Sequence, residues 1–298
     1  MRFNKLDLNL LVALDALLAE KNITRAARRI NLSQSATSGV LARLRDYFGD
    51  ELLIQVGRTM VATPMARGLE GAVRDVLLRI QSTIAVQPQF DPATSTRHFR
   101  IMASDYPISV LIAEASRRAY RVAPGITLEI VVPGDEVEES VDRGEIDILI
   151  MPTQYTSAHH PRTPLYEETY SCVVWNENAL VGDTLTLDQY MALGHVTTQF
   201  GHRRHPSLEQ WFLQTSALSR RIEVTTNNFN TLPLLVIGTD RVATMHTRLA
   251  NMFAAYLPLR ILPLPVEFPS MVWCMQWPSH LGSDQAHLWL RSLLQASA

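Results

Sequence analysis

Three polar side chains close together, Gln34, Ser35 and Ser38, are the first candidates for chemistry in this sequence. They open a stretch running to about Phe48 that Ser33 is suited to cap as a helix. At 3.6 residues per turn, Gln34, Ser35, Ser38, Ala42 and Arg45 share one face, and Val40, Leu44, Tyr47 and Phe48 share the buried one. An amide and two hydroxyls at a helix start can approach base edges closely, and Gln pairs naturally with adenine. Arg45, further along, suits phosphate. A plain helical hairpin with a solvated polar face is the alternative.

The flanking elements must hold that helix in place. Residues 6–20 put Leu10, Leu14, Leu17 and Leu18 on one helical face. Asn22 is placed to cap a short helix carrying Ala26, Ala27 and Ile30, and Asn31-Leu32 makes the turn into the next. Residues 52–63 read as two short apolar strands joined across Gly57-Arg58-Thr59. Arg58 at that tip is placed to enter a minor groove or touch phosphate, although a solvated turn arginine is the commoner outcome. Pro64 suits the first turn of a further helix. On it Met65, Leu69, Val73, Val76, Ile80 and Ile84 form a narrow apolar stripe. Such a stripe seeks a partner helix, favoured here as a dimer seam, or docks on its own body. Residues 87–96 carry two prolines and polar residues and read as a hinge.

Other chemistry finds little support. The histidine pairs His159 with His160, and His202 with His205, lack the spacing of zinc ligands. G-x-S-x-G, Walker and G-x-G-x-x-G motifs are absent. Asp105 and Asp135 follow strands, where helix caps are as natural as an acid–base pair. An enzyme is therefore not expected, nor any metal or cofactor.

Net charge is −2, which does not describe a nucleic-acid binder as a whole. The charge is uneven, however. Residues 1–90 hold twelve basic against eight acidic residues, and the remainder fifteen against twenty-one. A basic front on an acidic body suits a DNA-binding head carried by something else. The two cysteines, Cys172 and Cys274, lie in apolar runs and read as buried thiols. Neither a signal peptide nor a transmembrane stretch is visible, so a cytoplasmic protein with no membrane partner is expected.

Beyond the hinge, strands and helices alternate. Strands are expected near 97–103, 126–132 and 146–151, with Ser104 opening a helix to about Val122. Prolines 152, 161 and 164 interrupt the order, and a similar half follows: strands near 169–175, 196–200, 221–226, 241–245 and 260–264, and helices that include 206–216 and 230–238. A last strand, 270–277, and helix, 283–294, return to the first half. The expected fold is α/β: an N-terminal winged helix–turn–helix with a long linker helix, then a two-lobed, periplasmic-binding-protein-like effector domain around parallel sheets. The domains are expected at 1–63, 64–90 and 91–298, with lobe 1 about 91–165 and 268–298 and lobe 2 about 166–267. Ligands of such folds sit at strand carboxyl ends. Phe200 and Phe229 follow strand ends and could stack on a ring, or be core.

The segment RAARRINLSQSATSGVLARLRDYFGDELL with VGRTMVATP resembles the helix–turn–helix of LysR-type transcriptional regulators, and the resemblance extends over the whole chain. MRFNKLDLNLLVALDALL at the start, PSLEQWFL at 206–213 and RRIEV at 220–224 look like the family's nodulation regulators and regulators of aromatic-compound degradation. That resemblance implies a homodimer or homotetramer that binds and bends promoter DNA, meets RNA polymerase and responds to a small inducer. It implies base-facing roles for Gln34, Ser35 and Ser38, with Arg58 in the wing. It implies inducer contact beside Ser104, and at His205, which matches a ligand-facing histidine of aromatic-responsive relatives. Gly39 and Gln55 depart from the family pattern, where longer polar or basic residues are common. An aromatic inducer of phenolic or flavonoid-like type fits. A solute-binding protein, or a regulator with an aliphatic ligand or none, is the alternative.

Overall fold

The computed structural model describes residues 2–3, 6–57, 59–84, 90–200, 205–206 and 220–298, with backbone only for 2–3, 81–84, 200 and 205–206. These residues form two compact units, one centred on residues 1–88 and the other made of 89–141, 145–278 and 282–298. Among the described residues no helix is long and apolar enough to cross a membrane.

The first unit begins with two short antiparallel strands, β1 (Arg2–Phe3) and β2 (Leu6–Asp7). Helix α1 (Asn9–Glu20) follows, burying Leu10, Leu11, Leu14, Leu17 and Leu18, and ends where Lys21 turns left-handed at φ 44°. Asn22 then caps α2 (Ile23–Arg29): its Oδ1 accepts the Arg25 amide at 3.0 Å. Helix α3 (Gln34–Phe48) is capped by Ser33, whose Oγ accepts the Ala36 amide at 3.1 Å, and stops at Gly49, φ 63°. Strands β3 (Leu53–Val56) and β4 (Thr59–Ala62) pair antiparallel across Gly57, whose φ of 63° suits a residue without Cβ. Helix α4 (Pro64–Ile84) completes the unit.

Its core is almost wholly aliphatic, with Leu14, Leu17, Leu18, Leu44, Leu52 and Leu53 fully buried. Each such leucine contributes roughly 1.5–3 kcal/mol by leaving water. The core-facing side of α3 differs from expectation. Leu41 and Leu44 are buried, Val40 and Phe48 are half-buried, and Tyr47 is exposed, set edge-on against Phe48. Leu41 lies one turn before Leu44, so helical spacing makes it the better partner. The stripe on α4 divides. Leu69 and Val73 pack on the head core, whereas Met65, Val76 and Ile80 are exposed. The Ile84 side chain lies outside the described residues.

The second unit holds two sheets. One has the order β6 (Thr127–Val131), β5 (His98–Ala103), β7 (Ile148–Pro152), β15 (Met271–Gln276), β8 (Arg162–Glu168). The other runs through β12 (Arg221–Thr226), β10 (Gly194–Phe200), β13 (Val242–His246), β9 (Tyr170–Trp175) and β14 (Leu259–Pro263), with β11 (His205–Pro206) also on β10. Strands β5, β6 and β7 are parallel, as are β10, β12 and β13, but β8, β9, β14 and β15 pair antiparallel to their neighbours. The sheets are therefore mixed rather than parallel: β15 in one and β9 in the other, each the strand that follows a crossing between lobes, run against their neighbours.

Strand β8 is not expected from the sequence, where Pro161 and Pro164 read as breaks. It is the edge strand of its sheet, a place where Pro164 can sit without breaking the ladder. The expected helix at 230–238 is two short 3₁₀ turns, Phe229–Thr231 and Pro233–Leu235, since Pro233 cannot donate to a continuing helix. Most of the expected helix at 206–216, and residues 87–89 of the expected hinge, lie outside the described residues. Cys172 and Cys274 are buried free thiols.

Candidate DNA-reading helix and candidate effector cleft

At the front of α3, Gln34 and Ser35 are exposed and Ser38 is half-buried. The capping arrangement holds them there. Ser33 Oγ caps the helix and lies 3.0 Å from Ser35 Oγ, while the buried Thr37 hydroxyl donates to the Ser33 carbonyl at 3.0 Å. A helix start fixed from both sides presents its side chains without fraying. A Cβ on Gly39 would meet nothing within 4 Å, so this position leaves a flat, open surface between Ser38 and Ala42.

Arg45 is placed otherwise than expected for a phosphate contact. Its Nε donates to the Glu51 carbonyl at 2.8 Å, Nη2 to the Leu53 carbonyl at 2.7 Å, and the guanidinium pairs with the Glu51 carboxylate at 3.0 Å. It ties the end of α3 to the root of the wing. Asp50 does similar work, accepting the Leu52 amide and the Thr63 hydroxyl, each at 2.6 Å. At the tip, Gln55 Nε2 donates to the Gly57 carbonyl at 3.2 Å. Arg58 lies outside the described residues. Sequence reasoning misses this bracing role because Arg45 shares the outward helical face; only the chain returning at Glu51 and Leu53 engages it.

In the effector unit, Ser104 stands at the end of β5 as the residue before a helix that continues to Val122 through a π-turn. Among the described residues its side chain makes no capping hydrogen bond, so the hydroxyl is not committed to its helix. The next residue reaches the other lobe: Asp105 Oδ2 accepts the Asn230 amide at 2.7 Å, and Ser109 Oγ donates to Asn230 Oδ1 at 3.0 Å. Burial pushes the Asp105 carboxyl above the usual carboxylate range, against the lowering effect of backbone amides from Asn230, Phe229, Asp105 and Tyr106.

An aromatic cluster joins the lobes beside this contact. Tyr106, on the first, stacks on His246 of the second at 3.9 Å and 16°. Phe229 is buried and meets both edge-on, at 6.4 Å from Tyr106 and 4.7 Å from His246. Trp273 packs against Tyr106 at 4.8 Å, and Tyr166 stacks on Trp273 at 6.3 Å. The Arg248 guanidinium lies over the Tyr166 ring, 4.5 Å from its centroid. The Tyr106 hydroxyl donates to the buried Glu168 carboxylate, which also accepts the Thr169 amide at 2.8 Å. Burial raises the Tyr106 and Tyr166 phenols far above their ordinary value and pushes His246 down to about 3, so His246 is a neutral ring. Among the described residues, His246 Nδ1 and Trp273 Nε1 are buried without a hydrogen-bond partner. They are polar atoms at a junction, where a small shift or a bound oxygen atom would satisfy them.

Of the expected inducer residues, Ser104 and Phe229 come together in this region, Phe229 within the cluster. The backbones of Phe200 and His205 face each other across β10 and β11, but their side chains lie outside the described residues. Tyr106, His246 and Trp273 are not singled out as site residues by the sequence. Their signal is weak: an aromatic after a strand end or within a strand is ordinarily core.

A capped helix–turn–helix with a wing, followed by a domain of two α/β lobes, is the architecture of a transcriptional regulator. Residues 8–67 match the bacterial regulatory helix–turn–helix protein, lysR family, and residues 93–298 match the LysR substrate binding domain. The chain belongs to the LysR family of transcriptional regulators, not to an enzyme family. It is 46% identical over its full length to Nodulation protein D 2 of Rhizobium tropici, covering 95% of that protein. Among solved structures it resembles a probable transcriptional regulator of Pseudomonas aeruginosa, at 27% identity and TM-score 0.66 over 99% of this chain and 98% of the other. It shares the fold of a full-length OxyR variant from the same organism, at 17% identity and TM-score 0.70 over 99% and 97% of the two chains.

Proposed function

We propose that this LysR-family regulator binds promoter DNA through Gln34, Ser35 and Ser38, and that an aromatic, phenolic or flavonoid-like inducer bound between its effector lobes switches that binding or the bend it imposes. Arg58 contacts DNA from the wing. Arg45 reaches phosphate only if its bonds to Glu51 and Leu53 give way, so its main part is to hold helix and wing together. The inducer lies beside Ser104 and Phe229, with Phe200 stacking on its ring and His205 stabilising a phenolate. The single observation that carries this reading is the meeting of aromatic and partnerless polar groups from both lobes next to Ser104. The likeness to nodulation proteins along the whole chain supports it.

The domains divide at 1–63, 64–90 and 91–298, with the lobes meeting at the crossings near 165 and 268. The exposed Met65, Val76 and Ile80 on α4 support a helix seam between two copies, giving the paired heads that a palindromic site needs. Two such dimers form the tetramer, and contact with RNA polymerase in the cytoplasm completes the activator reading.

A gel shift with promoter DNA and a thermal-shift panel test this directly. Gln34→Ala should lose about tenfold or more in promoter affinity, since a good bidentate base contact discriminates by roughly 1–3 kcal/mol. Phenols or flavonoids at about a hundredfold their dissociation constant should stabilise the protein by about 2.7 kcal/mol. Unchanged promoter binding in Gln34→Ala would remove the recognition assignment. Stabilisation by no aromatic compound would remove the inducer assignment.

A further inference from the structure

The contact between Asp105 and Asn230 has an unusual composition. Asp105 is the first residue of the helix after β5, on one lobe; Asn230 lies in the turn Phe229–Thr231, on the other. The Asp105 carboxylate accepts the Asn230 amide at 2.7 Å, and the amides of Phe229, Asp105 and Tyr106 also lie within its reach. The groups gathered on it are thus backbone N–H donors from two lobes. Among the described residues no arginine, lysine or histidine forms an ion pair with it. The surrounding side chains reinforce the same join. Ser109 Oγ donates to Asn230 Oδ1 at 3.0 Å, and Asn230 Nδ2 donates to the Asp105 carbonyl at 3.4 Å.

Converging amides of this kind are what an acidic ligand would use to bridge two lobes. Here the protein supplies the anion itself. A second carboxylate brought alongside would find the Asn230 amide already taken and would face a like charge in a half-buried setting, where screening by water is weak.

We propose that Asp105 sets the charge selectivity of the effector cleft: its carboxylate occupies the donor set shared by the two lobes, holds them together without a ligand, and excludes aromatic carboxylates in favour of uncharged or phenolic rings. This rests on the inducer reading given above, and it adds a residue and a rule to it. Asp105 is a positioning and selectivity residue; the inducer ring is contacted by others.

The experiment compares full-length wild type with Asp105→Ala and Asp105→Asn. The probes are 4-hydroxybenzoate and 4-hydroxyacetophenone, which share a phenol ring and differ in charge, together with a flavonoid as an uncharged control. Binding is read by calorimetry, and lobe closure by small-angle scattering. The expected result is a gain of at least tenfold in 4-hydroxybenzoate affinity in Asp105→Ala, a smaller gain in Asp105→Asn, and a larger radius of gyration for Asp105→Ala without ligand. Equal carboxylate affinity in wild type and both variants, while the flavonoid or ketone still binds, overturns the selectivity role and leaves the inducer reading standing. Binding of no aromatic probe to any of the three proteins overturns the inducer reading and this rule with it. Should Asp105→Ala not fold, Asp105→Asn is judged by the same criterion. Wild type that binds 4-hydroxybenzoate as tightly as 4-hydroxyacetophenone also overturns the proposal.

Discussion

The head and the effector unit bury different chemistry. Among the described residues of 1–88 the core is leucine, alanine and valine, and the buried polar residues are Thr37, Thr63 and Arg74. The effector unit buries His195, His246, His287, Glu168, Gln276, Asn178 and several tyrosines alongside its aliphatic residues. All nine histidines of the chain lie beyond residue 97. An aliphatic core has one good packing and holds a recognition helix in a fixed pose. A core with buried polar and aromatic groups depends in addition on their protonation and their partners, to which an aliphatic core is indifferent.

Acid should separate the two most strongly. Burial lowers His195 to about 4, His246 to about 3 and His287 to about 4, against an ordinary 6.5. Between about 6.5 and 4 the unfolded chain binds protons that the folded effector unit refuses. Stability present above that window is therefore lost as pH falls through it, on the order of 2 kcal/mol per histidine by pH 5. Asp105 and Asp147, whose carboxyls burial raises, act in the opposite direction and only nearer their own titration. Calorimetry at pH 7 and pH 5 should show the effector transition falling while a head of residues 1–88, which contains no histidine, holds steady. An effector transition that does not move would break the contrast.

A core deletion in the head comes next. Leu14 is fully buried in the aliphatic cluster, so Leu14→Ala should cost about 3–5 kcal/mol in denaturant unfolding, with promoter binding lost in proportion. A cost below about 1 kcal/mol would mean that this core relaxes like a loosely packed one.

The smallest effect compares helix caps. Asn22 caps α2 in the head, and Thr186 forms a capping box with Gln189 in the effector unit, before the helix Leu187–Ala192. Asn22→Ala and Thr186→Ala should each cost about 1 kcal/mol. Only Asn22→Ala should weaken DNA binding, because α2 supports the recognition helix. Equal loss of promoter affinity in both would show that stability alone, rather than the pose of the head, governs the readout.

The head was the more legible part. Ser33, Asn22, Pro64 and Gly57 are local signals, each acting within a few residues of itself, and the elements they bound are found where the sequence places them. Strand β8 was not legible, because Pro164 is compatible with a strand only at a sheet edge, and edge position is a property of the assembled sheet. Arg45 reads as an outward cation until Glu51 and Leu53 return beside it. Of the effector residues, Ser104 was legible as a strand end, but the pairing of Asp105 with Asn230, 125 residues apart, was not.

By itself, the sequence determined the helix–turn–helix, the cap and polar front of its second helix, the alternation of strands and helices, and the family. These depend on periodicity and short-range capping, which act along the chain. The tertiary structure decided which apolar stripe residues of α4 are covered and which are open. It decided that the sheets are mixed, that Tyr106 stacks on His246, and that a carboxylate from one lobe meets an amide of the other. Those outcomes depend on contacts between distant segments, whose energies have no local signature until the chain has folded.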